Sequence, residues 1–212
     1  MSDQPVHRSI LVIDIEGSTA AGRTNPIRRE LRSRVYDMLA GAMEYSGIDY
    51  RWCDPFEDRG DGVLILMHPV DELPKTLLLS RLVPKLAHQL VEYNGSLPAT
   101  ERTRRGLRLR AAVHAGEVHR DGKGCFGEAV DLACRLLDAP KLKQCLRDNP
   151  SPMVLVVSEE FYWAIVRHGY EGICPTTYHP GLKVSLGGRR SQGYVHVPSV
   201  LRLTAALQDH VA

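Results

Sequence analysis

Two aspartates sit at the edges of apolar runs, a placement that suits hard-cation chemistry. Asp14 directly follows Ile10-Leu11-Val12-Ile13, a β-branched run suited to a strand buried on both faces. Gly17, Ser18 and Thr19 then form a small polar turn whose backbone N–H groups can face a phosphate. A buried strand that delivers an Asp into such a loop is one way to hold a divalent cation against a phosphorylated ligand. Asp61 lies in Glu57-Asp58-Arg59-Gly60-Asp61-Gly62, an acidic, glycine-rich turn ahead of the apolar Val63 to Met67. Asp61 enters a strand just as Asp14 leaves one, so adjacent strands would bring the two carboxylates together. Taken singly, Asp14 reads as a turn cap and Asp61 as an ordinary Asp-Gly hairpin residue.

The elements that must position these residues follow from periodicity. Asn25-Pro26 reads as a cap and first helical position, and Leu31, Val35, Met38, Leu39 and Ala42 make Ile27 to Tyr45 an amphipathic helix. Ile48 to Trp52 reads as a strand ended by Pro55. Glu72 to Tyr93 is expected to be helical, with Pro74 in its first turn and a kink at Pro84. Asn94 to Arg105 reads as a polar loop and Leu107 to Val118 as a strand, with a glycine-rich hairpin or loop at Asp121 to Gly127. Glu128 to Leu146 is helical and divided at Pro140; Met153 to Val157 is a buried strand. Ser158-Glu159-Glu160 opens a helix to about Arg167, and strands are expected over Tyr178 to Leu186 and Tyr194 to Val197. Leu201 to Ala212 reads as a short terminal helix. Strands and helices interleave with a hairpin between the first two helices, an α/β, ferredoxin-like (split βαβ) pattern with additions.

Composition sets the wider bounds. The 212 residues are 43% hydrophobic and 25% charged, enough for one domain over residues 1–212, with a core of about 8–198 and a tail of 199–212. The net charge of +2 does not suggest a nucleic-acid binder, and Arg102, Arg104, Arg105, Arg108 and Arg110 read as a solvated face. No apolar run approaches the ~20 residues of a membrane span, and Met-Ser-Asp-Gln-Pro does not open a signal peptide. The five cysteines are odd in number and form no C-x-x-C pair, so reduced thiols and a cytoplasmic location are expected, with Cys134 and Cys145 as small core residues.

Four segments together resemble the class III nucleotidyl cyclases, the adenylate/guanylate cyclase catalytic domain. Ile13-Asp14-Ile15-Glu16-Gly17-Ser18-Thr19 is similar to that family's first metal-binding motif, and Arg59-Gly60-Asp61-Gly62-Val63 to its second. Leu109 to Val118 resembles the central strand, and Gly127 to Leu136 the helix bearing the transition-state residues. The resemblance spans about Arg8 to Val197, in order and in spacing. It implies the cyclase catalytic-domain fold with a mixed, mainly antiparallel sheet. It also implies conversion of a nucleoside triphosphate to a 3′,5′-cyclic nucleotide and pyrophosphate. Two divalent cations, Mg²⁺ or Mn²⁺, would be held by Asp14 and Asp61 with the Ile15 carbonyl assisting, and Gly17, Ser18 and Thr19 would face the phosphates. Arg135 would stabilise charge on the reacting phosphate. The family's site forms between two catalytic domains, so a homodimer with active sites at its interface is implied, with no nucleic acid and no membrane.

The chain also departs from that pattern. Asp131 stands where the family has an asparagine donor; an ionised Asp only accepts, and it lies one turn before Arg135, where an ion pair would draw the arginine from phosphate. At the positions that set base choice stand Glu57, suited to guanine, and Gly124, with Cys125 beside it. The adenine pair is absent, so GTP or a pyrimidine triphosphate is expected, the latter as in small family members that make antiphage cyclic UMP or CMP. The late lysine is missing from Val184-Ser185-Leu186-Gly187; Lys183, Arg189 or Arg190 would have to replace it. These departures keep two alternatives open: a catalytically degenerate domain that binds nucleotide or protein as a regulator, and another metal-dependent phosphoryl-transfer enzyme on a palm-like fold.

Overall fold

A computed structural model describes residues 4–198; the terminal helix expected at Leu201 to Ala212 lies outside the described residues. In chain order the elements are β1 (Val6–Ile15), α1 (Asn25–Ser46), β2 (Glu57–Asp58), β3 (Gly62–Met67), α2 (Val83–Ser96), α3 (Ala99–Arg105), β4 (Leu109–Asp121), β5 (Gly124–Phe126), α4 (Glu128–Asp138), α5 (Pro140–Asp148), β6 (Met153–Ser158), α6 (Glu159–Ala164), β7 (His179–Leu186) and β8 (Arg189–His196). The sheet runs β2-β3-β1-β4-β6-β8-β7, with β5 pairing β4 alongside. Among the described residues only β4 and β6 pair in parallel, joined by the crossover through α4 and α5. The sheet is mixed and mainly antiparallel, as expected.

The continuous apolar run of β1 is explained by two cores, one on each face. Leu11 and Ile13 pack with α1 and α2, while Ile10 and Val12 pack with α4 and α5. Asp14 is the first β1 side chain past Ser9 to escape full burial. Two close approaches demand glycine. A Cβ at Gly62 would lie 2.3 Å from the Ile13 carbonyl oxygen, and one at Gly116 would lie 2.8 Å from the Ala129 Cβ. The first sets β3 against β1 beside Asp61; the second seats α4 on β4.

Several expected elements differ. Ile48 to Trp52 is not a strand: Asp49 accepts from the Arg51 N–H at 2.9 Å and caps a 3₁₀ turn at Tyr50–Trp52, leaving only a bridge from Cys53 to Met67. Thr24, rather than Asn25, precedes α1 as its cap, with Pro26 in the first turn. The second long helix begins near Thr76 and passes through a π turn at Leu78–Leu82; the Val83 N–H reaches the Leu78 carbonyl, and Pro84, which has no N–H to give, follows. Pro84 is thus absorbed by a π turn. The polar stretch before β4 contains a helix, α3, with Glu101 in its first turn and arginines in its last. Asn94 closes it by bonding both the N–H and the carbonyl of Leu107 at 2.8 Å. Pro140 does divide the helical stretch, into α4 and α5. Cys134 and Cys145 pack against the core half-buried rather than within it, and all five cysteines are free thiols. No helix among the described residues is long and apolar enough to cross a membrane.

Candidate active site

The antiparallel pairing of β1 with β3 sets Asp14 opposite Gly62, and the Ile15 N–H donates to the Asp61 carbonyl at 3.0 Å. Asp14 and Asp61 therefore stand at adjacent strand ends. Their charges meet: burial pushes the Asp14 carboxyl above its ordinary value, the Arg110 guanidinium opposes this, and Asp61 and Asp138 add to the rise. The Ser18 hydroxyl donates to Asp61 Oδ2 at 2.5 Å, and the Ala20 N–H donates to the Gly17 carbonyl at 3.0 Å, so the Gly17-Ser18-Thr19 turn folds back over the second carboxylate.

Arg110 is a residue the sequence reading misplaced. It lies opposite Asp14 on β4, is buried rather than solvated, and bonds the Asp14 carboxylate. Its Nη1 reaches toward the Leu137 carbonyl at 3.5 Å, and its Nε has no partner. Of the other arginines expected on a solvated face, Arg102 and Arg104 are exposed, while Arg105 pairs with Glu30 and Glu101 and Arg108 with Glu16 at 2.8 Å. Only the alternation of β4 could have announced that Arg110 faces inward.

The donor set at Asp14 and Asp61 fits a hard divalent cation. Both are carboxylates, the neighbouring groups are backbone carbonyls and a hydroxyl, and no group of three or more acidic, His or Cys side chains among the described residues makes an all-protein cage. One or two carboxylates completed by substrate phosphates is the coordination Mg²⁺ prefers. A cavity of about 330 Å³ opens beside them, lined by Ser18, Thr19, Asp61, Arg28, Arg29 and Arg32 among others. Arg32 ties α1 to the β2–β3 turn: it pairs with Asp58 and donates to the Gly60 carbonyl at 2.8 Å.

Glu57 and Gly124, the two positions to which the resemblance gives base choice, also come together. A Cβ on Gly124 would sit 3.7 Å from Glu57 Oε1, an oxygen buried without a hydrogen-bond partner. Arg59 donates to Glu57 Oε2 at 3.4 Å. The Cys125 thiol is pushed up to about 12, by burial first and by the Glu57 carboxylate next.

Asp131 and Arg135 lie on one exposed stripe of α4, with Glu128 and Asp138, while Val130, Ala133, Leu136 and Leu137 are buried against the sheet. The ion pair anticipated between Asp131 and Arg135 is not present: both side chains face solvent, and neither is paired among the described residues. Among the described residues no hydrogen bond or ion pair joins either of them to Asp14 or Asp61. Arg189 is not brought to the carboxylate pair either. It opens β8 and lines a separate cavity of about 500 Å³ with His114, Glu117, Glu128 and Glu160.

No protein-family model and no curated protein matches the chain by sequence. Solved structures do match it in shape. Over 92% of this chain and 93% of the other, it superposes on the guanylyl cyclase Cya2 with a TM-score of 0.62 at 17% identity. Similar figures hold for the adenylyl cyclase CyaB from P. aeruginosa (0.62, 14% identity, 94% and 97% covered). They hold too for an adenylate/guanylate cyclase/hydrolase from Silicibacter pomeroyi (0.63, 16% identity, 92% and 99% covered). The chain has the fold of a class III nucleotidyl cyclase catalytic domain.

Proposed function

We propose that this chain, with its cyclase fold, is a metal-dependent nucleotidyl cyclase that closes a nucleoside triphosphate to its 3′,5′-cyclic nucleotide and releases pyrophosphate. The observation that carries the reading is the meeting of Asp14 and Asp61 at adjacent strand ends, beside a hydroxyl-bearing turn and a basic cavity. Asp14, Asp61 and the Ile15 carbonyl would hold two Mg²⁺ or Mn²⁺ ions, which supply charge neutralisation and a more acidic ribose 3′-hydroxyl. The 3′-oxygen bonds to the α-phosphorus, the bridge to the β-phosphate breaks, and the hydroxyl proton passes to solvent.

The chain's own groups divide the remaining work. The N–H groups of the Gly17-Ser18-Thr19 turn face the phosphates. Arg110 balances Asp14. Arg135 is exposed and, among the described residues, unpaired, so a second copy would supply the arginine that meets the α-phosphate, in a homodimer with two equivalent sites. Glu57 offers its unpartnered oxygen to a base N–H, which favours guanine and leaves pyrimidines possible, while nothing at Gly124 reads adenine. The protein is a soluble, cytoplasmic one in this reading, a single cyclase domain over its length.

The test is incubation of purified protein with Mn²⁺ and each of ATP, GTP, CTP and UTP, read by mass spectrometry. One cyclic product is expected, and not chiefly cyclic AMP. A second reading, a catalytically degenerate regulator, is favoured by the acidic Asp131 in place of a donor; it predicts triphosphate binding with no cyclic product from any of the four.

A further inference from the structure

The cavity beside Asp61 has a basic wall to which the cyclase reading gives no role. Arg28, Arg29 and Arg32 all fall in the first two turns of α1, and all three line the cavity with Ser18, Thr19 and Asp61. Arg32 is committed to Asp58 and Gly60. Arg28 and Arg29 are exposed and, among the described residues, make no ion pair and no side-chain hydrogen bond. Arg108 and Arg110, which flank the carboxylate pair on β4, are by contrast held by Glu16 and Asp14. The first turn of α1 holds no acidic residue, and the positive end of a 22-residue helix adds to Arg28 and Arg29.

Two free guanidiniums, a hydroxyl turn and a metal-competent carboxylate in one cavity suit an anion that brings its own cation. We propose that Arg28 and Arg29 bind the terminal phosphates of a metal-complexed triphosphate, supplying from the same chain the grip that the β7–β8 hairpin lacks. The assignment rests on the cyclase reading for the nucleotide, though the polyphosphate chemistry stands apart from it. Forked donors suit terminal phosphate oxygens, and each charge-assisted contact is worth roughly tenfold in affinity.

The experiment is calorimetric titration, with Mg²⁺, of inorganic tripolyphosphate, of the four 3′-deoxynucleoside triphosphates and of the corresponding monophosphates. It compares the wild-type chain, Arg28→Ala/Arg29→Ala, and Arg34→Ala, a control for charge lost elsewhere on α1. The two arginines are exposed, so unchanged melting of the double variant is expected. The expected result is a loss of about 100-fold for tripolyphosphate and the preferred triphosphate in the double variant, with the monophosphates little changed and Arg34→Ala near wild type. Equal affinity in wild type and double variant overturns the assignment. So does an equal loss in Arg34→Ala, an equal loss for monophosphates, or no tripolyphosphate binding by the wild-type chain. If the double variant loses tripolyphosphate but the wild type makes no cyclic product, the anion site stands and the cyclase reading fails. If the double variant cyclises with unchanged kcat/KM, the cyclase reading stands and this assignment fails.

Discussion

The β1–β3 end of the sheet and the outer stripe of α4 carry the same kinds of side chain in opposite condition. At the strand ends each of three carboxylates has a partner within the chain: Asp14 in Arg110, Asp61 in the Ser18 hydroxyl, Asp58 in Arg32. On α4, Asp131 and Arg135 face solvent and, among the described residues, make no ion pair or side-chain hydrogen bond. Burial explains the difference. A carboxylate at the edge of a core must be compensated or it will not stay charged, whereas a helix face in water needs nothing. A group kept ready and unpaired on a surface has work to do only when a second surface arrives. In the proposed cyclase these would be two halves of one site, one built within the chain and one supplied by a second copy.

The largest effects should come from breaking either half. Asp61→Ala and Arg135→Ala should each lower cyclic product formation by at least about 100-fold, since each removes a group that meets developing charge. If the halves come from different copies, mixing the two inactive variants should restore roughly a quarter of wild-type activity, because half the dimers are mixed and each carries one intact site of two. No recovery on mixing would mean that both halves act within one chain, and the comparison would fail.

Arg110 tests whether the strand-end half is internally compensated. Arg110→Met leaves the Asp14 carboxylate partly buried beside Asp61 and Asp138 without its cation, and should cost about 3 kcal/mol in urea unfolding. Adding Asp14→Asn to that variant should recover most of the loss, since no charge is then left uncompensated. A neutral Arg110→Met would show that solvent, not Arg110, supports Asp14.

How far the sequence reveals this site depends on the kind of signal each residue carries. Asp14 and Asp61 are legible because continuous apolar runs, each the length of a buried strand, frame them. Gly124 and Glu57 are legible as a pair only through the family resemblance, since neither has a periodic context. Arg110 was read as solvated because composition counts arginines without asking which way a strand turns them. Ile48 to Trp52 and Asn94 to Arg105 were misassigned for a related reason. There Asp49 and Asn94 side chains take over backbone hydrogen bonds, and such local bonds outweigh strand propensity or polarity.

Asp131 sharpens the α4 half. An ionised carboxylate can only accept, so Asp131→Asn restores a donor on the stripe without altering the helix, and should raise the rate of cyclic product formation by about tenfold. Because no ion pair holds Arg135 to Asp131, the gain should appear in kcat rather than in any change of fold, and thermal melting should be unmoved. An unchanged rate would favour the regulator reading over a weakened enzyme.

The smallest expected effect lies under α4, where β4 supports it. His114 is buried, its Nδ1 lies 2.7 Å from the Ser158 hydroxyl, and it shares a cavity with Glu128 and Ala129 from the first turn of α4. Burial holds its pKa below 6.5, with His7 and Lys75 acting in the same direction and Glu160 against them. The unfolded chain therefore takes up a proton near pH 6.5 that the folded chain refuses until lower pH. Stability from the neutral ring is full above about pH 6.5 and falls by up to about 1.4 kcal/mol per pH unit below it. His114→Gln should flatten this dependence, seen as a smaller difference between urea midpoints at pH 5.5 and 7.5 than in the wild type. An equal difference in both proteins would move the acid-sensitive group elsewhere and leave α4's seat on β4 to packing at Gly116 and Ala129 alone.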